Sequence, residues 1–145
     1  MSSRRDFIKK AAATTAGVSM ALKASSYNRI IGANDRINLS FMGLGRRVGA
    51  YYDALNKEYN TELMYLCDVK QSQIDRAMGD LKDRIKYTPK QTDDIRKVLE
   101  DKNVDAVFIA APDHWHAPGT IMALDAGKHV YVEKPCSHNM NENEL

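Results

Sequence analysis

Short apolar runs that end in glycine, acid or proline alternate, along residues 37–135, with stretches whose apolar residues fall at helical spacing. Ile37-Asn38-Leu39-Ser40-Phe41-Met42 alternates apolar and polar residues and then meets glycine, the pattern of a strand. Glu62 to Cys67 is a second such run, ending at Asp68; Asp105 to Ala110 reads as a buried third, and His129 to Val132 as a fourth. Between them, Arg46 to Tyr59 carries Val48, Tyr51, Tyr52 and Leu55 on one stripe, and Ser72 to Ile85 carries Ile74, Ala77, Met78, Leu81 and Ile85. Thr92 is expected to cap a helix running to Glu100 with Ile95, Val98 and Leu99 inward. Pro118 suits the first turn of a further helix and Gly127 the position just past its end. Strands alternating with helices predict an α/β fold: a Rossmann-type, doubly wound parallel sheet with helices on both faces, incomplete at its C-terminal end.

In such a sheet the ligand lies beyond the carboxyl ends of the strands. That rule converts the strand ends into candidate sites at Gly43 to Gly49, Asp68, Ala111 to His116 and Glu133 to Pro135. The first is Gly43-Leu44-Gly45-Arg46-Arg47-Val48-Gly49. A diphosphate needs close backbone approach and free amides at a helix start; Gly43 permits the tight turn and Gly45 the approach. Val48 stands where the G-x-G-x-x-G pattern has its third glycine, a position that serves mainly helix–strand packing. Asp68 ends the second run, where a carboxylate accepts from the adenosine ribose hydroxyls and repels a 2′-phosphate, favouring NAD over NADP; Arg46 and Arg47 soften that preference. Ala111 is small enough for a flat ring to approach the backbone, and His114, Trp115 and His116 crowd the same loop. Lys134 is placed to hold a substrate hydroxyl and to stabilise developing alkoxide charge.

Charge concentrates at the start of the chain. Residues 1–24 carry a net +4 within an overall +2, leaving the body at −2, which argues against a nucleic-acid partner. Ser3-Arg4-Arg5-Asp6-Phe7-Ile8-Lys9 followed by a weakly apolar stretch to Leu22 reads as a twin-arginine signal over 1–24. Residues 25–35 read as a linker and 36–145 as the folded domain. The expected destination is the periplasm, with the twin-arginine translocation machinery as a partner. Cys67 and Cys136 are expected to be free thiols, and no Cys/His spacing suggests a metal.

Gly43-Leu44-Gly45, Cys67-Asp68, Ala111-Pro112-Asp113-His114-Trp115-His116, the run from Ala126 to Pro135 and Cys136-Ser137-His138 together resemble the Gfo/Idh/MocA family over roughly residues 36–145. The resemblance implies an NAD-binding domain of an oxidoreductase that moves hydride between a sugar or polyol and nicotinamide. It implies cofactor contacts from Gly43, Leu44, Gly45, Arg46, Arg47 and Asp68. Pro112, Asp113 and His116 would border the nicotinamide, Glu133 would meet its ribose, Lys134 would be the catalytic lysine and Pro135 would shape the ring pocket. The family continues into a substrate domain that is absent from these 145 residues, so the fragment alone is expected to be inactive, with homo-oligomers expected for the full-length form. Two alternatives stand beside this: an NAD-dependent glycoside hydrolase, whose known branch lacks the Lys-Pro pair, and a non-catalytic dinucleotide-binding module.

Overall fold

A computed structural model of the chain describes residues 36–55 and 60–144. The expected signal and linker lie outside the described residues. Strands β1 (Ile37–Met42), β2 (Thr61–Cys67), β3 (Lys90–Thr92), β4 (Ala106–Ile109) and β5 (His129–Val132) form one sheet in the order β3-β2-β1-β4-β5. Every pairing is parallel. Parallel neighbours need crossovers. These are a 3-10 helix over Arg46–Leu55, then α1 (Gln71–Leu81), α2 (Ile95–Glu100) and α3 (His116–Asp125). The chain works outward from β1 to β3, then returns to the other side of β1 for β4 and β5. The order therefore reverses beside β1, where a doubly wound sheet opens its ligand crevice.

Each face has its own core. Phe41, Leu63 and Leu66 pack with Val48, Tyr51, Tyr52, Ile74 and Leu81 on one side; Met42, Tyr65, Cys67, Val107 and Ile109 pack with Val98 and Ala123 on the other. The β1–β2 register passes from Leu39↔Leu63 to Ser40↔Tyr65, so Met64 is an extra residue. That bulge explains why Leu63 and Leu66, three apart, share a face despite the two-residue period of a strand.

The sequence expectations hold for four strands and need correction at the fifth. Thr92 does not cap a helix: it ends β3, and its hydroxyl accepts from the Asp94 amide at 3.1 Å. Asp94 is the cap of α2, accepting from Arg96 N at 3.0 Å. Gly127 does follow α3, at φ +71°, with its amide on Leu124 O at 2.9 Å. Lys128, buried at the amino end of β5, donates to the carbonyls of Asp101 (2.8 Å) and Val104 (3.0 Å), so it seals the sheet edge opposite the crevice. Both cysteines are free.

Candidate functional site

The carboxyl ends of the strands bring the sequence-predicted residues to one edge. Gly43 leaves β1 at φ +83°, its amide on Cys67 O at 2.9 Å. A Cβ there would lie 2.3 Å from the Ala111 amide nitrogen, so the turn is pressed against the backbone that follows β4. The Asp68 carboxylate reaches the same turn: Oδ2 accepts from Leu44 N at 2.7 Å and Oδ1 from Lys70 N at 2.8 Å. An ionised carboxylate has about four acceptor positions, so two amides leave capacity for ribose hydroxyls.

Three cavities follow one another along this edge. The largest, about 740 Å³, is walled by Cys67, Asp68, Val69, Ile95, Pro112 and Trp115. The next, about 600 Å³, shares Gly43, Asp68 and Ala111 with the first and adds Gly45, Arg46 and Arg47. The third, about 370 Å³, shares Arg47 and Ala111 with the second and adds Asp113, His116, Glu133 and Lys134. A site of this form suits an elongated ligand with an apolar slot at one end, backbone amides in the middle and ionisable groups at the other end. The first residues of a helical segment carry amides without an intrahelical acceptor, and Gly45 and Arg46 occupy that position on the middle cavity.

Charge is organised at the third cavity. Arg47 Nε meets Glu133 Oε1 at 2.6 Å, joining the turn after β1 to the end of β5. That hydrogen bond holds the Glu133 carboxyl below its ordinary value, so it is ionised at neutral pH. Burial and the Glu133 carboxylate push the neighbouring Tyr51 hydroxyl up. His138 lies 3.2 Å from Asp113 and lowers its carboxyl. Burial pushes the Cys67 thiol up to about 12, so on the wall of the first cavity it is a thiol and not a nucleophilic thiolate.

For three candidate residues the structure shows contacts that the sequence does not announce. Leu44 is fully buried in the core and its amide is spent on Asp68, so it serves the turn and offers the crevice neither side chain nor amide. His116 is 3% exposed, with Nδ1 2.6 Å from Pro135 O and Nε2 2.8 Å from Ala111 O. Its ring borders the third cavity and stands between a carbonyl of the loop after β4 and a carbonyl of the loop after β5, with one ring nitrogen facing each. Pro135, joined to Lys134 by a cis peptide, lines none of the three cavities and contributes the carbonyl that receives His116.

Other residues had no sequence signal. Ile95 and its neighbours form a wall because β3 ends beside them, and β3 has no apolar run to announce it. Arg76 reaches from α1 to the carbonyls of Leu44 and Gly45, more than 30 positions away in the chain. No local pattern marks such a contact.

Residues 37–144 match the GFO_IDH_MocA family, described as an oxidoreductase family with an NAD-binding Rossmann fold. The chain is 31% identical to a glycosyl hydrolase family 109 protein of Shewanella sp. (strain W3-18-1) and 31% identical to an alpha-N-acetylgalactosaminidase of Shewanella oneidensis; each alignment covers 96% of this chain and 35% of the relative. Among solved structures it is similar to myo-inositol 2-dehydrogenase from Lactobacillus plantarum, with a TM-score of 0.63 and 29% identity over 75% of this chain and 31% of that one. The chain thus spans about a third of the length of the relatives it matches.

Proposed function

This chain belongs to the Gfo/Idh/MocA oxidoreductase family through its NAD-binding Rossmann fold, and on that footing we propose that residues 36–145 seat NAD in an enzyme that oxidises or reduces a sugar or polyol. The observation that carries the proposal is the Asp68 carboxylate 2.7 Å from the amide of the glycine turn, in the wall shared by two adjoining cavities. One group then grips ribose hydroxyls while the next peptides face the diphosphate. Bound NAD supplies the hydride acceptor or donor. The chain's own part is to bind and orient. Gly45 and Arg46 amides hold the diphosphate, Val69 and Ile95 flank the adenine slot, and Lys134 holds a substrate hydroxyl at the third cavity.

Trp115, the chain's single tryptophan, stands on the wall of the largest cavity and is 45% exposed. Its emission overlaps the absorption of reduced nicotinamide. Titration with NADH is expected to quench Trp115 and to sensitise NADH emission, with NADPH at least about tenfold weaker because its 2′-phosphate meets the Asp68 carboxylate. Absence of energy transfer, or tighter binding of NADPH, would remove the cofactor assignment.

A second reading, an NAD-dependent glycosidase, draws support from the names of the two Shewanella relatives. Both readings use the same cofactor site and differ in the fate of the sugar. In a polypeptide that joins these residues to a sugar-binding domain, NADH formation from a free sugar supports the first. Release of nitrophenol from a nitrophenyl glycoside supports the second.

The opening Ser3-Arg4-Arg5-Asp6-Phe7-Ile8-Lys9 supports export through the twin-arginine route to the periplasm. Residues 1–35 fused to a folded reporter are expected to export it, and replacement of Arg4 and Arg5 by lysine is expected to abolish export. A reporter that stays in the cytoplasm with the native sequence would count against this route.

A further inference from the structure

We infer that Arg76 is a positioning residue for the diphosphate: its guanidinium pulls two successive carbonyls of the glycine turn to one side and so aims the next two amides into the crevice. The inference rests on the glycine turn being the diphosphate seat.

The geometry is that of three consecutive peptide units. In the first, the Leu44 amide donates to Asp68 Oδ2 at 2.7 Å. In the second, the Leu44 carbonyl accepts from Arg76 Nη2, and in the third the Gly45 carbonyl accepts from the same nitrogen at 2.9 Å. A peptide bond is planar and trans, so a carbonyl and the amide of the following residue point in opposite directions. Anchoring the Leu44 carbonyl on Arg76 therefore turns the Gly45 N–H away from α1, and anchoring the Gly45 carbonyl does the same for the Arg46 N–H. Gly45 and Arg46 line the middle cavity while Arg76 does not, so the direction away from Arg76 is the direction of the crevice.

The arrangement answers a problem that glycine creates. Gly45 has no Cβ, and a Cβ built there meets nothing within 4 Å, so packing does not hold the peptide in one orientation. Asp68 fixes the first peptide and Arg76 the next two. Without Arg76, the Leu44–Gly45 peptide loses its anchor and the Gly45–Arg46 peptide keeps only the long bond from Val48 N to the Gly45 carbonyl at 3.4 Å, so the diphosphate must complete their ordering at its own cost in affinity. Lysine is a poor substitute because its single ammonium lacks the rigid planar geometry of guanidinium.

The test compares the chain with Arg76→Met and Arg76→Lys, using ADP, adenosine and NADH as probes. Arg76→Met is expected to weaken ADP and NADH about tenfold and to leave adenosine, which lacks the diphosphate, unchanged. Arg76→Lys is expected to fall between, about threefold weaker for ADP. Amide NMR supplies the direct readout: in the unaltered chain the Gly45 and Arg46 amide protons move downfield on adding ADP, and in Arg76→Met those shifts shrink. Equal loss of adenosine and ADP binding, or unchanged Gly45 and Arg46 shifts in a variant that still folds, overturns the inference. If Arg76→Met fails to fold, Arg76→Lys decides, and wild-type ADP affinity there overturns it. Failure of the unaltered chain to bind ADP or NADH overturns the seat itself, a result separate from any effect of Arg76.

Discussion

Gly43→Ala is expected to melt roughly 10–20 °C below the unaltered chain and to lose measurable NADH binding. Two costs combine. The residue sits at φ +83°, where an L side chain is disfavoured by about 1–2 kcal/mol. The added methyl would also lie 2.3 Å from Ala111 N, 2.4 Å from Ala111 Cα and 2.7 Å from the Ala110 carbonyl carbon. All three atoms are backbone, so no side chain can swing aside. Either the end of β4 or the turn must move, at a further cost of about 1–3 kcal/mol or more. Gly45→Ala is the control. Its Cβ meets no protein atom within 4 Å, so its melting temperature should stay within a few degrees while NADH affinity falls, because the methyl stands where phosphate must approach. Thermal denaturation by circular dichroism with NADH titration separates the two. A Gly43→Ala chain that melts with the parent would contradict the close approach of the turn to β4.

Asp68→Ala is expected to weaken NADH at least about a hundredfold and to erase the preference over NADPH. The carboxylate holds two backbone amides, Leu44 N at 2.7 Å and Lys70 N at 2.8 Å. Its removal orphans the amide of the fully buried Leu44, a loss of about 1–3 kcal/mol in stability. It also takes away the acceptor for the ribose hydroxyls and the charge that repels a 2′-phosphate. The discriminating readout is the ratio of NADH to NADPH affinity, measured by energy transfer from Trp115. A purely structural Asp68 would lower both affinities together and leave their ratio intact; movement of the ratio toward one supports direct contact with the ribose.

Much of this site was legible in the sequence because the chemistry sits where strands stop. β1, β2 and β4 each carry buried apolar residues, β5 carries Val130, Tyr131 and Val132 in a row, and each run is followed by a residue type that breaks it. β3 escaped because Lys90-Gln91-Thr92 has no apolar member and lies at the sheet edge, where one neighbour suffices to hold it. Its loss led to Thr92 being read as a helix cap and hid the turn at Asp93 and Asp94 and the start of α2 that together wall the first cavity. The roles of Leu44, His116 and Pro135 were out of reach for a different reason. Residue type and spacing bring a side chain to an edge, but they do not tell whether its polar atoms face a ligand or a carbonyl of the next loop. His116 illustrates the point, since a histidine at the start of the helix that follows β4 serves equally as a ligand or as a tie between two loops.

The position of β1 in the middle of the sheet also governs how the chain comes together during synthesis. Met42 pairs with Cys67, 25 positions later, and with Ile109, 67 positions later. At the usual pace of translation the second of these partners emerges roughly 3–13 s after Met42. Throughout that interval Phe41 and Met42 have at least one flank uncovered, so the first strand of the sheet to be made is also the one longest at risk of sticking to other nascent chains.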